Sequence, residues 1–272
     1  MGSVYFKTIF YAPHEIPFIT MNLMESYPYI DLFFIVEANR THVGEEKPYI
    51  FQNFLEKIPA FLRKKIRYIK ADLSSKCIDC SVSKDDAQMH KNEAFIWDCF
   101  EDYFPLANDD IVISTDADEV LYGSMYPEFF NALKNHPALF LPLHQFMYRM
   151  TYLWSDLTCW APTIARAKTY LDQPRPHSWR FFGWFFPKMA GCHFSWQLTT
   201  EEMLYKLKTY AHHAIYGSFA DPAILEKAVR EKTYPFEPNR PFHIVEVDPD
   251  KDDWLYPPSL HAVQKDLTRV FS

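Results

Sequence analysis

Glycine is scarce in this sequence: it accounts for 6 of 272 residues, whereas proline accounts for 20. The glycine-rich loops that cradle phosphate groups, G-x-G-x-x-G and the P-loop, are both missing. A phosphorylated ligand must therefore be held by a metal ion, by arginine or lysine side chains, or by helix N-termini.

A surplus of positive charge and a long apolar run are also absent. The net charge is −7 and the pI is near 5.9, which disfavours nucleic acid as a partner because neutralising phosphates needs a basic surface. No segment approaches the ~20 consecutive apolar residues of a transmembrane helix, and the N-terminus has no signal-peptide pattern. We therefore expect a soluble, cytoplasmic protein that binds no nucleic acid and has no transmembrane segment.

Cysteine is infrequent as well, and its five residues, an odd number, do not indicate a disulfide framework. Cys77 and Cys80 form an isolated C-x-x-C pair. A structural zinc site would need a second pair, or histidines at a matching spacing, and none is apparent. We therefore predict no zinc or redox site at this pair.

Apolar residues make up 48% of the chain and aromatic residues 18%, enough for the core of one large α/β domain. Strand-like and helix-like segments alternate, which is typical of a mainly parallel central sheet flanked by helices. Thr199 and Glu202 form a capping box that marks the start of one helix. We expect strands at 4–11, 32–36, 66–69, 111–115 and 139–143, and helices at 16–26, 87–104, 200–212 and 222–231.

One of these strands ends abruptly in acid. The apolar run 111–115 is followed by Asp116-Ala117-Asp118-Glu119, and ligands of open α/β sheets bind at the carboxyl ends of strands. Two carboxylates that flank a small residue can bind one hard cation and leave sites for phosphate oxygens. The motif predicts Mn²⁺ or Mg²⁺ and, through it, a phosphorylated substrate. The alternative is an acidic turn that caps the next segment, and Glu119 is also suited to that role.

Four ordered blocks give the sequence a likeness to a known family. The first block is His14-Glu15, which a helix and Asp31 follow, and the second is 34–41, which continues to Lys47-Pro48. The third block is the acidic segment 116–119. The fourth is 190–196, which is followed by Thr199, Glu201 and Lys206. Together the blocks span about residues 9–215. In this order they resemble glycosyltransferase family 17, whose best-known members are the β-1,4-mannosyl-glycoprotein N-acetylglucosaminyltransferases.

The resemblance implies a GT-A-like α/β domain, a UDP-sugar donor (UDP-GlcNAc in the animal members), usually Mn²⁺, and inversion at the anomeric carbon. We expect residues 1–218 to form the catalytic domain, with a nucleotide-sugar half to about residue 120 and an acceptor half over 121–218. Residues 219–272 are expected to pack on it as a C-terminal extension. The acceptor is expected to be a glycan or glycolipid, which the sequence does not identify.

The resemblance also assigns roles to individual residues. Asp116 and Asp118 are the expected metal ligands, and His193 is a third ligand or, alternatively, a hydrogen-bonded histidine in an aromatic core. Lys91 stands on a helix where relatives often carry arginine. The expected donor-binding residues are His14, Glu15, Glu37, Asn39, Arg40, Lys91 and Asp116.

Inverting transfer needs a general base, for which Glu201 is our first candidate and Asp156 a weaker one. Glu201 also fits the first turn of a helix, where glutamate is favoured by the helix dipole alone. Six aromatic side chains are candidates for a surface that binds the acceptor sugar, and the alternative for each is a place in the apolar core. The candidates are Tyr148, Tyr152, Trp154 and Trp196, with Trp160 and Trp179 as further ones.

Two other functions compete with sugar transfer. The first is a non-catalytic carbohydrate-binding protein on a transferase scaffold. The presence of Asp116, Asp118 and His193, the expected metal ligands, disfavours it. The second is a metal-dependent phosphoester hydrolase, which usually needs further His and Asp ligands for a second metal ion.

Overall fold

The computed structural model describes residues 2–76, 86–173, 183–237 and 239–270. Within these ranges a sheet of ten strands forms the centre of the protein, and its main path has the order β3-β2-β1-β4-β7-β6-β9-β5. The strands are β1 (Val4–Ile9), β2 (Leu32–Ala38), β3 (Ile66–Ala71), β4 (Ile111–Ser114), β5 (Glu119–Leu121), β6 (Ala138–Met147), β7 (Tyr152–Arg166), β8 (Trp184–Phe185), β9 (Gly191–Ser195) and β10 (Ile244–Glu246).

Helices flank this sheet, as expected, so the predicted α/β class is confirmed. None of the helices in the described ranges is both long enough and apolar enough to cross a membrane. The helices are α1 (Ile16–Ser26), α2 (Ala60–Arg63), α3 (Asp86–Asp98), α4 (Phe100–Tyr103), α5 (Tyr126–Ala132), α6 (Ala167–Leu171), α7 (Thr200–Thr209), α8 (His213–Tyr216), α9 (Pro222–Glu231) and α10 (Leu260–Val263).

The N-terminal half of the sheet is parallel. β1 pairs with β2 and β4, and β2 pairs with β3, all in parallel. Every residue of β1 and β4 is buried, because helices cover both faces of such a sheet and its strands become continuous apolar runs. The carboxyl ends of β1, β2 and β4 therefore lie at one edge, where the sequence predicted the ligand site.

Beyond β4 the sheet is mixed. β7 pairs antiparallel with β4 and β6, whereas β6 pairs parallel with β9, and β9 pairs antiparallel with β5. The β5–β9 register places His193 opposite Glu119. Gly191 permits this approach, since a Cβ at that position would lie 2.1 Å from the carbonyl oxygen of Val120. A glycine in β9 thus helps bring His193 next to the acidic turn that follows β4.

The predicted capping box at the start of α7 is present. Thr199 accepts a hydrogen bond from the Glu202 amide at 3.3 Å, and Glu202 accepts one from the Thr199 amide at 2.8 Å. The two bonds satisfy amides that would otherwise lack partners at the helix N-terminus. Met203 and Leu207 bury the inner face of α7, which fixes the helix over the edge of the sheet.

The chain after residue 219 packs against this body. β10 pairs antiparallel with β7, and α10 packs against α1. Phe236 and Phe242 belong to an apolar cluster that also contains Tyr148 and Trp196. The C-terminal segment therefore covers side chains of the sheet that would otherwise be exposed.

Candidate functional site

A cavity of about 320 Å³ opens at the carboxyl ends of β1 and β4. Its walls come from six places: the segment after β1, the segment after β2, helix α3, the acidic turn after β4, strand β9 with its following turn, and helix α7 with the residues after it. The lining residues are Ile9, Tyr11, His14, Glu15, His42, Glu93, Asp116, Ala117, Asp118, His193, Ser195, Trp196, Tyr205, Lys206, Tyr210, Ala211 and His212.

Asp118 and His193 bring a carboxylate of the acidic turn next to an imidazole in this cavity. Asp118 Oδ1 lies 3.7 Å from His193 Nε2, and the Phe194 amide donates to the Asp118 carbonyl at 2.8 Å. The other ring nitrogen, His193 Nδ1, lies 2.9 Å from Gln145 Oε1. With Gln145 as the acceptor, Nδ1 carries the proton and Nε2 presents its lone pair toward Asp118, which is the arrangement of a metal-binding histidine.

This donor set fits a divalent cation. Carboxylate oxygens suit Mg²⁺ and Mn²⁺, and neutral imidazole is a common metal ligand. Asp116 lines the same cavity but does not converge with Asp118 and His193 into a group of three within 4.8 Å. Among the residues described, the group that does so is Glu119, Cys159 and His193. Two overlapping donor sets therefore share His193.

Glu119 closes the acidic turn. Its carboxylate accepts a hydrogen bond from the Asp116 amide at 2.7 Å, and its own amide donates to the Asp116 carbonyl at 3.1 Å. The side chain is buried. The structure therefore gives Glu119 the capping role that the sequence left open, and this role holds the Asp116–Asp118 turn in shape.

Glu15 is a partly buried carboxyl group on the cavity wall. It accepts hydrogen bonds from the Tyr11 amide at 2.6 Å and the Ala12 amide at 3.3 Å. The pKa of Glu15 is raised from its ordinary value of 4.5 to about 8. Burial is the main cause and the negative charge of Asp118 adds to it, whereas the hydrogen bonds from the Tyr11 and Ala12 amides and the positive charge of Lys206 act in the opposite direction. Glu15 thus lies in the cavity as predicted, beside the acidic turn.

His42 is a cavity residue that was not predicted from the sequence. It is buried, and neither ring nitrogen meets a hydrogen-bond partner within the part of the chain that the structure describes. Burial lowers the pKa of His42, and His90 and His212 lower it further, whereas Glu93 and Asp116 raise it. The signal for this residue was its place directly after the second sequence block, between Arg40 and Gly44.

The C-terminal part of α7 and the residues after it supply further side chains to the cavity wall. Lys206 Nζ lies 5.3 Å from the centre of the Trp196 ring. The rings of His212 and His90 are 4.7 Å apart in an edge-to-face contact. Of the two histidines that follow this helix, His212 lines the cavity, whereas His213 Nδ1 lies 2.8 Å from the Leu207 carbonyl.

Glu37 does not reach this cavity, because its carboxylate is occupied inside the protein. It accepts from the Ile50 amide at 2.9 Å, the Phe51 amide at 3.0 Å and the Tyr68 hydroxyl at 2.5 Å, and it pairs with Lys47 at 3.1 Å. The side chain is fully buried. The donor-binding role expected for Glu37 is therefore replaced by a structural one: it ties the segment after β2 to β3.

Asn39 and Arg40 also lie outside the cavity. Asn39 Nδ2 donates to Asp72 at 2.7 Å, and Arg40 donates to the Gly44 carbonyl and to Glu46, both at 3.0 Å. Both residues line a different depression, next to Pro48 and Tyr49. Loop contacts therefore hold these two side chains outside the cavity.

Lys91 is exposed on α3 and does not line the cavity. Glu93, two positions later, does line it, because residues two apart on a helix point in different directions. Lys91, expected to bind the donor, thus lies outside the cavity lining, and α3 presents the carboxylate of Glu93 to the cavity.

Glu201 lies beside the cavity rather than in it. It is exposed in the first turn of α7 and lines a neighbouring groove of about 360 Å³. Tyr11, His14 and Tyr205 belong to both the groove and the cavity. His14 Nδ1 lies 4.0 Å from Glu202 Oε1 at this boundary. The weaker candidate base, Asp156, is exposed on β7 and lines neither space.

The expected aromatic acceptor surface is mostly covered. The Tyr148 hydroxyl donates to the Thr233 carbonyl at 3.0 Å, and Trp154 Nε1 donates to the Pro241 carbonyl at 3.3 Å. Tyr152 lies with Tyr148 in the apolar cluster that contains Phe236 of the C-terminal segment. The C-terminal segment therefore buries all three side chains, and the expectation that they contact an acceptor is corrected.

Trp196 is the aromatic candidate that does line the cavity. Its φ of 58° lies in the left-handed region, which is strained for a large side chain. Trp160 instead packs against Phe140, with ring centres 5.7 Å apart. Trp179 and the Cys77–Cys80 pair fall outside the residues that the structure describes.

Comparison with known proteins gives one family and several distant structures. The family model described as glycosyltransferase family 17 matches residues 4–229. Galactosyltransferase LgtC, solved with donor and acceptor sugar analogs, is similar at 9% identity over 63% of this chain and 60% of its own, with a TM-score of 0.34. TarS of S. aureus is similar at 11% identity over 53% of this chain and 36% of its own, with a TM-score of 0.32. No curated protein matches the sequence significantly.

Proposed function

This chain belongs to glycosyltransferase family 17, and we propose that it transfers a sugar, with inversion and with the help of a divalent metal ion, from a UDP-sugar to a hydroxyl group. The proposed donor is UDP-GlcNAc, and the proposed acceptor is a glycan or glycolipid. The observation on which the proposal rests is the 3.7 Å approach of Asp118 to His193 beside Asp116, in a cavity at the carboxyl edge of the sheet.

Mn²⁺ or Mg²⁺ is the proposed cofactor, with Asp118 and His193 as ligands and Asp116 as the third. When bound, such a cation supplies Lewis-acid stabilisation of the negative charge on the leaving nucleoside diphosphate. The protein's contribution is orientation. Gln145 holds the imidazole of His193 through Nδ1, and Glu119 holds the turn that carries both aspartates.

Lys206 is proposed to bind the diphosphate directly. It lines the cavity on the side of Trp196, and the protein has no glycine-rich loop that could donate amide groups to phosphate. A lysine supplies a compact positive charge for this purpose. The cavity thus combines the positive charge of Lys206 with side chains that can bind a metal ion. This combination suits a ligand that carries two linked phosphates.

The proposed general base is Glu201, reached from the neighbouring groove. In the transfer, the acceptor hydroxyl oxygen forms a bond to the anomeric carbon, the bond from that carbon to the diphosphate oxygen breaks, and the hydroxyl proton passes to the base. The structure adds Glu15 as a second candidate, because its carboxyl group lines the cavity itself. Comparing Glu201→Gln with Glu15→Gln in single-turnover transfer assays distinguishes the two.

Release of UDP from a panel of UDP-sugars, measured with and without Mn²⁺, tests the proposed function. We expect metal-dependent release that is selective for one sugar and is stimulated by oligosaccharide acceptors. Asp118→Ala should abolish it, whereas the matched control Asp250→Ala, at an exposed position, should retain it. Glycan binding without turnover would favour a lectin, and metal-dependent cleavage of simple phosphoesters would favour a hydrolase.

A further inference from the structure

The wall of the cavity that follows β2 contains a buried imidazole whose hydrogen-bonding groups are not used. His42 is 8% exposed, and neither Nδ1 nor Nε2 has a hydrogen-bond partner among the described residues. Proteins pair the great majority of their buried polar groups, because leaving one unpaired is costly. An unpaired imidazole that lines a ligand cavity indicates a partner that arrives with the ligand.

The backbone of His42 is fixed from two sides. Its amide donates to the Thr209 carbonyl, at the end of α7, at 3.1 Å, and its carbonyl accepts from Asn92 Nδ2, on α3, at 2.7 Å. The Tyr11 hydroxyl donates to the same Thr209 carbonyl at 2.9 Å, and the Tyr11 ring lies 5.2 Å from that of His42. Three elements therefore hold the imidazole in place at the cavity wall.

The groups around His42 do not favour a phosphate at this wall. Glu93 from α3 contributes negative charge at the imidazole, and the other titratable neighbours are His90, His212 and Asp116, whose charge is offset where it binds the proposed metal ion. Lys206, the cavity's lysine, is on the Trp196 side. A neutral imidazole offers one donor and one acceptor on nitrogens that point in different directions, and either nitrogen can bond an uncharged polar group of a ligand.

We propose that His42 hydrogen-bonds the nucleobase of the UDP-sugar, so that the nucleoside lies against the wall formed by His42, Glu93 and Tyr11. The diphosphate then lies toward Asp118, His193 and Lys206. A uracil edge provides an N–H donor beside carbonyl acceptors, and Tyr11 offers a flat ring next to it. This inference rests on the proposed function. It adds the orientation of the UDP-sugar in the cavity and names the residue that selects the nucleobase.

The test measures binding rather than turnover. His42→Phe removes both ring nitrogens while keeping the ring's bulk, and His42→Gln restores an amide that can donate and accept. The matched control is His261→Phe, the same change at an exposed position on α10. Isothermal titration with UDP, ADP and inorganic pyrophosphate, each with Mn²⁺, gives the three affinities for every variant.

We expect His42→Phe to weaken UDP binding by roughly 10- to 100-fold, as for the loss of a buried hydrogen bond, and to leave the affinity for pyrophosphate unchanged. The preference of the wild type for UDP over ADP should shrink in parallel, and His42→Gln should recover part of it. Thermal melting should show no loss of stability in His42→Phe, because the substitution removes an unpaired polar group.

Three results would overturn the inference. Unchanged UDP affinity in His42→Phe would show that His42 does not touch the donor. Equal losses for UDP and pyrophosphate would place it at the diphosphate, and equal losses for UDP and ADP would place it at the ribose. If the wild type bound pyrophosphate but no nucleoside diphosphate, the proposed function would fail as well, so the two failures are distinguishable.

Discussion

Gln145 Oε1 lies 2.9 Å from His193 Nδ1, and this contact determines which nitrogen of His193 faces Asp118. Partners of this kind orient metal-binding histidines, and their loss typically costs 10- to 100-fold in metal affinity. We therefore expect Gln145→Leu to weaken Mn²⁺ binding by about that factor, although Gln145 itself touches no metal. Titration with Mn²⁺, followed by electron paramagnetic resonance, measures the Mn²⁺ affinity of the variant and of the wild type. An unchanged affinity would argue against His193 as a ligand.

The two donor sets that share His193 make opposite predictions. If the cation binds between Asp118 and His193, Asp118→Asn should abolish Mn²⁺ binding and Cys159→Ser should leave it nearly unchanged. If it binds at Glu119, Cys159 and His193, whose ligand atoms lie within 4.8 Å, Cys159→Ser should be the damaging change. Equilibrium dialysis of both variants with Mn²⁺ and Zn²⁺ distinguishes the two sites.

Substitution of Glu37 should damage stability rather than donor binding. Glu37→Ala would leave Lys47 buried without the carboxylate that it pairs with at 3.1 Å, and breaking a buried ion pair costs roughly 3–5 kcal/mol. Urea unfolding should show that loss, while the folded fraction should keep the wild-type affinity for UDP. A variant of normal stability that binds UDP poorly would instead restore the donor role expected from the sequence.

The stability of the metal-free protein should fall as pH rises through the region between the two pKa values of Glu15. The folded-state pKa of about 8 exceeds the ordinary value of 4.5, so this group's contribution is fully present below 4.5 and is lost as pH rises through about 8. Between the two values, the free energy of unfolding falls by at most about 1.4 kcal/mol per pH unit through this group. Because the side chain of Glu15→Gln stays uncharged, this substitution should remove that part of the pH dependence.

Urea unfolding of wild type and Glu15→Gln at several pH values between 5 and 9 (roughly this titration range) checks this prediction. The stability of Glu15→Gln relative to wild type should grow with pH and become constant above the folded-state pKa. Parallel curves for the two proteins would mean that Glu15 titrates normally in the folded state.

The parallel half of the sheet was predictable because its signals are local. The apolar run before Asp116 specifies a buried strand, the helix 16–26 has the bounds expected, and the capping box of Thr199 and Glu202 is present. β7 was not predicted, because polar and partly exposed residues interrupt its pattern. Its length depends on pairing with β4, β6 and β10, which no local pattern records.

The candidate site was predictable where a motif lies next to a strand end. Asp116, Asp118, Glu15 and His14 fall in the cavity for that reason. Tyr148 and Trp154 were misassigned because the sequence shows their aromatic character but not the distant segment that covers them. His42 was missed because its significance depends on what is absent around its ring, a property of the folded structure.

The most direct test of metal-dependent transfer at Asp118 and His193 is anomalous diffraction from crystals grown with Mn²⁺ and UDP. We predict one manganese peak within bonding distance of Asp118 Oδ1 and His193 Nε2, with a diphosphate oxygen on its open side. A peak at Glu119 and Cys159, or UDP bound without manganese in crystals of a protein that turns over UDP-sugar, would contradict the proposed site.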